Sequence, residues 1–292
     1  MSKRCIIKQS KAKGDSRVKR RKRIIALCSA IALIVGLAIW IAWGNTAIEV
    51  NTYTYENAEI PDEFSGFRIA QISDFHDAEI GKDNIKLINA LKESDPDIIV
   101  ITGDFIDSRR TDVEHSLAFA REAVKIAPCY YVTGNHEGRT SAYISLRDGL
   151  VEIGVNVLEN ESVEIEKDGK TITLVGVHDQ NLGFSADLVA EIGAIEDRFT
   201  ILLAHRPATF SFAANSGIDL MLSGHNHGGQ FRLPFIGGVF APNQGFFPEY
   251  DAGAYVEGNS TMIISRGIGN SRFPFRVNNR PEIVLVELSP EK

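Results

Sequence analysis

Beyond residue 66, the hydrophobic pattern alternates between short apolar runs and segments in which apolar residues recur every three or four positions. The runs rich in Ile, Val and Leu predict strands at 67–73, 97–102, 129–133, 199–205, 218–224, 261–265 and 282–288. The segments with helical spacing predict helices at 84–94, 113–125, 142–154, 186–193 and 208–217. Because strands and helices alternate, this order predicts an α/β protein with layered sheets and helices.

Two other patterns predict antiparallel and edge strands. The alternating segments SVEIEK and KTITLVGV are separated by Asp168-Gly169, a pair that favours a type I′ hairpin turn. The segment VNTYTY also alternates, so residues 44–65 are interpreted as a linker and a first strand. With these hairpin pairings the sheets are expected to be mixed, and residues 66–292 form the main domain.

The most hydrophobic part of the chain lies near its N-terminus. Residues 24–43 are twenty positions without a charge, Asn, Gln or Pro. At about 1.5 Å per residue, a helix of this length spans the roughly 30 Å core of a bilayer. Trp40 and Trp43 lie where an interfacial aromatic belt would be. We predict a transmembrane helix over 24–43; a cleaved signal peptide is the alternative, although its apolar region is usually shorter.

Charge is distributed unevenly between the two ends of the chain. The formal net charge is −7, yet residues 1–23 contain eleven Lys or Arg and one acid, Asp15. This predicts a cytoplasmic basic tail at 1–23, a single-pass plasma-membrane protein and a domain outside the cytoplasm. An acidic domain with a basic tail does not match nucleic-acid binding, so no nucleic-acid partner is expected. The three cysteines, Cys5, Cys28 and Cys129, do not form a disulfide framework.

Five of the predicted strands are followed directly by potential metal ligands. These clusters are Asp74-Phe75-His76, Gly103-Asp104-Phe105-Ile106-Asp107, Gly134-Asn135-His136-Glu137, His205, and Gly224-His225-Asn226-His227. In α/β sheets, ligands bind beyond the carboxyl ends of the strands. We therefore expect the five clusters to converge on one site.

The same clusters resemble the motifs of the calcineurin-like metallophosphoesterase superfamily. The matching segments are SDFH, GDFID, GNHE, AHRP around His205, and GHNHGGQ, within a stretch from about Phe67 to about Glu287. Within the superfamily, the sequence is similar to a membrane-associated bacterial branch akin to UDP-diacylglucosamine hydrolases. The resemblance implies a four-layer α-β-β-α sandwich with mixed sheets and a dimetal site at the carboxyl ends of strands, here preceded by one transmembrane helix.

The resemblance also implies a role for each motif residue. Two divalent metal ions would share one carboxylate and take three further ligands each: Asp74, His76 and His227 for the first, Asn135, His205 and His225 for the second, with Asp104 as the bridge. It implies attack on phosphorus by a metal-bridging hydroxide, so Asp104 counts as a catalytic residue as well. His136, the other catalytic residue, would contact the phosphate and donate a proton to the leaving oxygen. Imidazole, carboxylate and amide ligands suit Mn, Zn or Fe better than Ca.

Several residues near these motifs leave alternatives open. Asp107 is interpreted as structural or as an orienting partner of a ligand histidine. His178 either lines the pocket or is a hydrogen-bonded loop residue, and Arg206 either contacts substrate or forms a structural ion pair. Three arginines either bind an anionic headgroup or pair with acids: Arg266, Arg272 and Arg276. Five phenylalanines either pack in the core or form an apolar lip that accepts a lipid chain: Phe231, Phe235, Phe240, Phe246 and Phe247.

The expected function is hydrolysis of a phosphoester, a phosphodiester or pyrophosphate of a membrane- or envelope-associated substrate. The substrate is expected to be a phosphorylated small molecule or lipid, and the protein a monomer. An outward-facing domain would not meet cytosolic nucleotide-sugar lipids. The alternative function is a membrane-tethered metal-binding scaffold without turnover.

Overall fold

In this computed structural model of the chain, residues 3–195, 198–270 and 273–291 are described, with side chains from residue 16 onward. The chain divides after Trp43 into two compact units, Met1–Trp43 and Gly44–Lys292.

The first unit contains one long helix, α1, at Lys3–Gly44. The helix therefore includes the basic tail as well as the predicted span at 24–43. From Ser16 to Gly44 it is long and apolar enough to cross a membrane, a test that a signal sequence also passes. Its large apolar side chains are exposed around the helix, as Leu27, Leu33 and Ile39 illustrate. A helix that is apolar on every side is typical of a membrane span.

The second unit contains two six-stranded sheets. In the first sheet the strands lie in the order β1-β16-β2-β3-β4-β5, with bounds β1 Glu49–Asn57, β2 Arg68–Ile72, β3 Ile98–Thr102, β4 Cys129–Val132, β5 Asn156–Val157 and β16 Glu282–Pro290. In the second sheet the order is β14-β15-β9-β8-β7-β6, with bounds β6 Glu161–Lys167, β7 Lys170–Gly176, β8 Thr200–Leu203, β9 Leu220–Ser223, β14 Gly253–Glu257 and β15 Ser260–Ile264.

Both sheets are mixed, as predicted. In the first, β2 to β5 are parallel and β16 is antiparallel to β2. In the second, β7, β8, β9 and β15 are parallel, whereas β6 and β14 pair antiparallel at the edges. The β6–β7 hairpin turns at Asp168-Gly169 with positive φ at both positions, which confirms the predicted turn. Strands β5 and β14, which are two and five residues long, were not predicted.

Five helices cover the outer faces of the two sheets. Their bounds are α2 Ile85–Ser94, α3 Val113–Ala123, α4 Tyr143–Ile153, α5 Ala186–Gly193 and α6 Phe210–Asn215. Helices α2 to α4 pack on the first sheet, and α5 and α6 pack on the second. Between the sheets lies a separate apolar core that includes Val100 and Val132 from one sheet and Ile201 and Leu222 from the other. The result is the predicted four-layer α-β-β-α sandwich.

Successive residues of a strand face opposite sides of its sheet, and in the central strands both sides are covered. In β3, Ile98 and Val100 face the second sheet, whereas Ile99 and Ile101 face the helices. Because both faces of such a strand are covered, its sequence is a continuous apolar run.

Residues 231–247 lie outside the two sheets and form two small hairpins, β10–β11 and β12–β13. Their bounds are β10 Arg232–Leu233, β11 Gly237–Gly238, β12 Phe240–Ala241 and β13 Gly245–Phe246.

Candidate metal centre

The chemistry-bearing loops begin where five parallel strands end, β2, β3 and β4 in the first sheet and β8 and β9 in the second. The side-chain amide of Gln71 links the two sheets beneath these loops, because it donates to Thr102 Oγ1 at 2.9 Å and to the carbonyl of Ser223 at 2.8 Å. The loops therefore meet in one place, and all seven predicted ligands are buried there: Asp74, His76, Asp104, Asn135, His205, His225 and His227.

The ligand atoms of Asp74, His76 and His227 form one group in which all lie within 4.8 Å of one another. His227 Nε2 is 3.4 Å from Asp74 Oδ1 and 3.2 Å from His76 Nε2. Because these side chains come from β2 and β9, the group bridges the two sheets.

Asp104, His205 and His225 form the second group. His205 Nε2 is 3.3 Å from Asp104 Oδ2 and 3.2 Å from His225 Nδ1. Asp104 Oδ2 is also 3.6 Å from His76 Nε2 in the first group. Asp104 therefore lies between the groups, at the position expected of a shared ligand.

The donor chemistry fits two divalent ions. In each group, two imidazole nitrogens face each other at 3.2 Å, an arrangement that a cation between or beside them would stabilise. His205 Nδ1 donates to the carbonyl of Thr102 at 2.8 Å, which orients its Nε2 towards Asp104 and His225. The side-chain oxygen of Asn135 is buried without a hydrogen-bond partner, as a metal-directed amide oxygen would be in the absence of the ion.

The electrostatics of the cluster also favour cation binding. Burial lowers the pKa of His76 and of His225 to about 3, so both imidazoles are neutral. Burial also lowers the pKa of His205, but the Asp104 carboxylate outweighs burial and raises this pKa to about 10. A metal ion at His205 would therefore displace a proton from that ring, since imidazole binds metal in its neutral form.

His136 lies beside the cluster, where its ring forms a further group with His76 and Asp107. The Ser108 backbone N–H donates to His136 Nδ1 at 3.1 Å, which places the imidazole proton on Nε2 in the neutral ring. Asp107 Oδ1 is 3.3 Å from the same Nδ1, and His136 Nε2 is 4.0 Å from Asp104 Oδ2. Asp107 thus contacts His136, which is not a predicted ligand, and it also forms an ion pair with Arg109 at 3.2 Å.

Comparison with known proteins agrees with this geometry. The family model for calcineurin-like phosphoesterases matches residues 67–229. The chain belongs to the calcineurin-like phosphoesterase family. It is thus a metal-dependent hydrolase that acts on phosphoester bonds, as the motifs predicted.

Three relatives of this calcineurin-like phosphoesterase cover most of its length. The uncharacterized metallophosphoesterase YkuE of Bacillus subtilis is 34% identical over 250 residues, 82% of this chain and 85% of YkuE. The phosphodiesterase YaeI of Escherichia coli is 31% identical over 206 residues, 67% of this chain and 72% of YaeI. A transmembrane protein with a metallophosphoesterase domain from Bos taurus is 30% identical over 92% of this chain and 64% of its own length.

Glu137 is a site residue whose role the sequence reasoning missed, although it is part of the GNHE motif of this calcineurin-like domain. Its buried carboxylate accepts four backbone N–H groups, from Asp104 at 3.0 Å, Phe105 at 2.7 Å, Ile106 at 3.1 Å and Gly134 at 2.7 Å. It therefore holds in place the loop that carries Asp104 and the loop in which Asn135 follows Gly134. The sequence signal was an acid next to predicted ligands in a domain core.

The arginines near the motifs have different partners in the structure. Arg206 forms an ion pair with the buried Asp179, with Nε 2.5 Å from Oδ2, so it is a structural contact. Arg266 pairs with Glu49 and Glu282. Arg276 is buried, its Nη2 lies 3.4 Å from His227 Nδ1, and it donates to backbone carbonyls rather than to acids. Arg272 lies outside the described residues.

His178 is a hydrogen-bonded loop residue, since its Nδ1 lies 3.2 Å from Thr133 Oγ1 and its backbone N–H donates to Asn160 Oδ1.

A pocket of about 430 Å³ opens beside the metal cluster. Its lining combines cluster residues, two arginines and an apolar wall from the small hairpins: Asp104, Ser108, Arg109, Asn135, His136, Arg139, His225, Asn226, His227, Gln230, Phe240, Pro242, Asn243 and Phe273. The exposed Arg139 has no side-chain hydrogen bond or ion pair among the described residues, so its guanidinium is available to an anionic substrate. A phosphoester could thus reach the cluster between a cationic rim and an apolar wall.

Proposed function

We propose that this protein is a two-metal phosphodiesterase held at a membrane, with its pocket receiving the phosphate of a membrane- or envelope-associated substrate. The observation that carries the proposal is the convergence of two three-residue ligand groups, joined by Asp104, at the floor of a pocket that His136 also lines. Two ions at this floor would activate water and stabilise the charge that develops on the phosphoryl oxygens. Mn, Zn or Fe suits the ligand set.

The predicted ligands fall into two sets, one for each ion. Asp74, His76 and His227 would hold one ion and Asn135, His205 and His225 the other, with Asp104 shared. Their burial excludes bulk water from the cluster, which strengthens every charge interaction with the substrate. The hydrogen bond from His205 Nδ1 to the Thr102 carbonyl keeps its other nitrogen aimed at the cluster.

His136 would act as the proton donor in its imidazolium form, in which both ring nitrogens carry a proton. In that form the Nδ1 proton faces Asp107 Oδ1 at 3.3 Å, and Nε2 is the nitrogen nearer the cluster, 4.0 Å from Asp104 Oδ2. Transfer of the Nε2 proton to the leaving oxygen would avoid expulsion of an alkoxide and leave a neutral imidazole whose Nδ1 accepts the Ser108 N–H. The Asp107 carboxylate would favour the charged form, which the ring regains by taking a proton from water before the next turnover.

Two relatives and helix α1 support the proposed phosphodiester substrate and the proposed location at a membrane. One relative is named a phosphodiesterase and another a transmembrane protein. The helix at Ser16–Gly44, uncharged from residue 24 onward, supports a membrane anchor, and the basic residues before residue 24 support a cytoplasmic N-terminus with the phosphoesterase domain outside. A lipid or cell-envelope phosphodiester fits that location, and a monomer suffices because the described site is built from one chain.

The test uses the full-length chain in detergent, loaded with Mn and supplied with bis(4-nitrophenyl) phosphate. Asp104→Ala should abolish turnover and lower the bound metal measured by elemental analysis at both sites, whereas Asp148→Ala, at an exposed acid on α4, should change neither. Retention of both metals and of turnover in Asp104→Ala would contradict the ligand assignment. A metal-loaded wild-type chain that hydrolyses neither mono- nor diesters would favour the scaffold alternative instead.

A further inference from the structure

Large apolar side chains are exposed beside the pocket, on the two small hairpins and on the segment that follows β15. We call this surface the aromatic lip: Phe235, Ile236, Phe246, Phe247, Phe273 and Phe275. In the described part of the second unit, Phe212 is the one exposed phenylalanine outside it. Phe273 also lines the pocket, so the lip continues into the candidate active site.

The lip is one connected structure rather than scattered side chains. The two hairpins are joined at Val239, whose N–H donates to the Phe231 carbonyl and whose carbonyl accepts from Phe247. The ring of Phe231 packs against those of Phe273 and Phe275, with centroids 5.2 and 5.6 Å apart. The side-chain amide of Gln230 donates to the carbonyl of Phe275 at 2.8 Å.

Two of these rings are held out at a conformational cost. Phe235 and Phe247 have φ of 67° and 54°, in the left-handed region that bulky residues rarely occupy. The Phe235 side chain is fully exposed, so contacts within the domain do not offset this cost. Backbone strain of this kind concentrates at functional surfaces.

The charge near the lip differs from that of the rest of the chain beyond α1. Residues 220–248 contain one arginine and no acid, and residues 258–281 contain four arginines and no acid. The chain from 24 to 292 as a whole has 37 acids against 20 basic residues. The two segments that carry the lip are therefore less acidic than the rest of this part of the chain; three acids lie between them, of which Asp251 is paired with Arg232.

The start of the second unit is fastened next to the lip. The Asn45 side chain donates to the Arg276 carbonyl at 2.9 Å and accepts from the Arg276 N–H at 2.7 Å. Arg280 donates to the carbonyls of Ala47 and Ile48. Asn45 directly follows Gly44, the last residue of α1, so the residue that contacts Arg276 is the next one along the chain after the helix.

We propose that the aromatic lip docks on the lipid bilayer that α1 crosses, which brings the pocket mouth to the headgroup level. The inference rests on the proposal that α1 spans a membrane. A phosphodiester in a lipid headgroup could then reach the cluster while its acyl chains stay in the bilayer. Aromatic rings suit this interface, since they tolerate a position between headgroups and hydrocarbon.

The experiment measures tryptophan quenching by brominated lipids in vesicles of phosphatidylcholine and phosphatidylglycerol that contain the full-length chain. Both native tryptophans, Trp40 and Trp43, lie in α1, so they are replaced by Phe and one new reporter is introduced. Phe235→Trp places it on the lip, and Phe212→Trp places a control reporter, at an exposed phenylalanine away from the lip, on α6. The emission of the lip reporter should fall at least two-fold in brominated vesicles, and that of the control should change little.

Equal quenching of the two reporters would overturn the proposal. A second result would also overturn it: the lip reporter is not quenched by brominated lipid, yet it becomes shielded from aqueous iodide when the protein density in the vesicles is high. That result would indicate that the lip binds a second copy of the chain. The membrane span of α1 and the phosphodiesterase activity, on which the proposal rests, are measured separately in the same vesicles. The unmodified chain reports the span of α1 by quenching of Trp40 and Trp43, and hydrolysis of soluble bis(4-nitrophenyl) phosphate reports catalysis. The double variant Phe235→Ser/Phe246→Ser should keep this soluble activity and lose at least ten-fold against a vesicle-embedded phospholipid.

Discussion

Replacement of Glu137 by alanine tests whether this residue organises the metal centre. Glu137 is not a predicted metal ligand, yet its two carboxylate oxygens accept N–H groups from both loops that carry central ligands. Without the carboxylate, four buried N–H groups lose their acceptor. The loops around Asp104 and Gly134 would then have to move or take in water.

The size of the effect follows from those four bonds. A buried N–H without a partner costs about 1–3 kcal/mol, so four give an upper bound of about 4–12 kcal/mol. Water entering the new cavity would satisfy some of them. Alanine also removes an unfavourable effect, because burial and the Asp104 carboxylate raise the pKa of Glu137 to about 7. We therefore expect a loss of about 2–6 kcal/mol, or roughly 5–20 °C in melting temperature for a domain of this size.

The assay is thermal unfolding of the full-length, Mn-loaded chain, followed by the near-ultraviolet circular dichroism of tyrosine. All seven tyrosines lie between residues 53 and 255, whereas both tryptophans lie in α1 and would not report on the phosphoesterase domain. The matched control is Glu114→Ala, since Glu114 is an exposed acid paired with Arg121 at 2.6 Å. A midpoint for Glu137→Ala within two degrees of the control, with full metal content, would refute the reasoning.

Four further predictions concern the pocket and the ions. His136→Ala should lower kcat about 10²- to 10⁴-fold for a diester with an alkoxide leaving group and much less for a nitrophenolate, because proton donation matters most for a poor leaving group. Asp107→Asn should lower kcat about ten-fold with metal content unchanged, as expected of a positioning contact; a change in KM alone would contradict this. Arg139→Ala should raise KM about ten-fold for anionic substrates, the loss of one charge-assisted hydrogen bond, while Arg147→Ala on α4 should leave KM unchanged. Removal of metal by a chelator should abolish turnover and lower the unfolding midpoint, and added Mn should restore both; at a hundred-fold excess over Kd the stabilisation is about 2.7 kcal/mol.

The site could be predicted from the sequence to the extent that its groups follow strands. Asp74, Asp104, Asn135, His205 and His225 each come directly after, or within three residues of, a buried apolar run. The carboxyl ends of such strands meet at one edge, so position along the chain was enough to place these side chains together. The layered fold was predictable for the same reason, since runs that are apolar at every position must be covered on both faces.

The residues that support the site were not predictable in this way. Asp179 and Arg276 act through partners that are distant in sequence, the first through Arg206 and the second through His227. No local periodicity marks a side chain whose partner is remote in sequence. Phe235 was ambiguous for a different reason, because the same apolar pattern describes a packed hairpin and an exposed one, and only the fold distinguishes them.

The backbone at five of the predicted ligands is strained in a way that bears on ion binding. Asp74, His76, Asp104, His225 and His227 all have positive φ, between 47° and 72°, although none is glycine. Each such residue costs about 1–2 kcal/mol relative to ordinary backbone, so the five together store several kcal/mol. Hydrogen bonds repay part of that energy, for example those from the His225 N–H to Asp74 and from the His136 N–H to Asp104. The facing imidazole nitrogens, at 3.2 Å, are close enough for one to donate to the other, and bound cations would replace that shared proton. The strain therefore positions the donors for two ions in advance, and ion binding should stabilise this region of the domain more than any other.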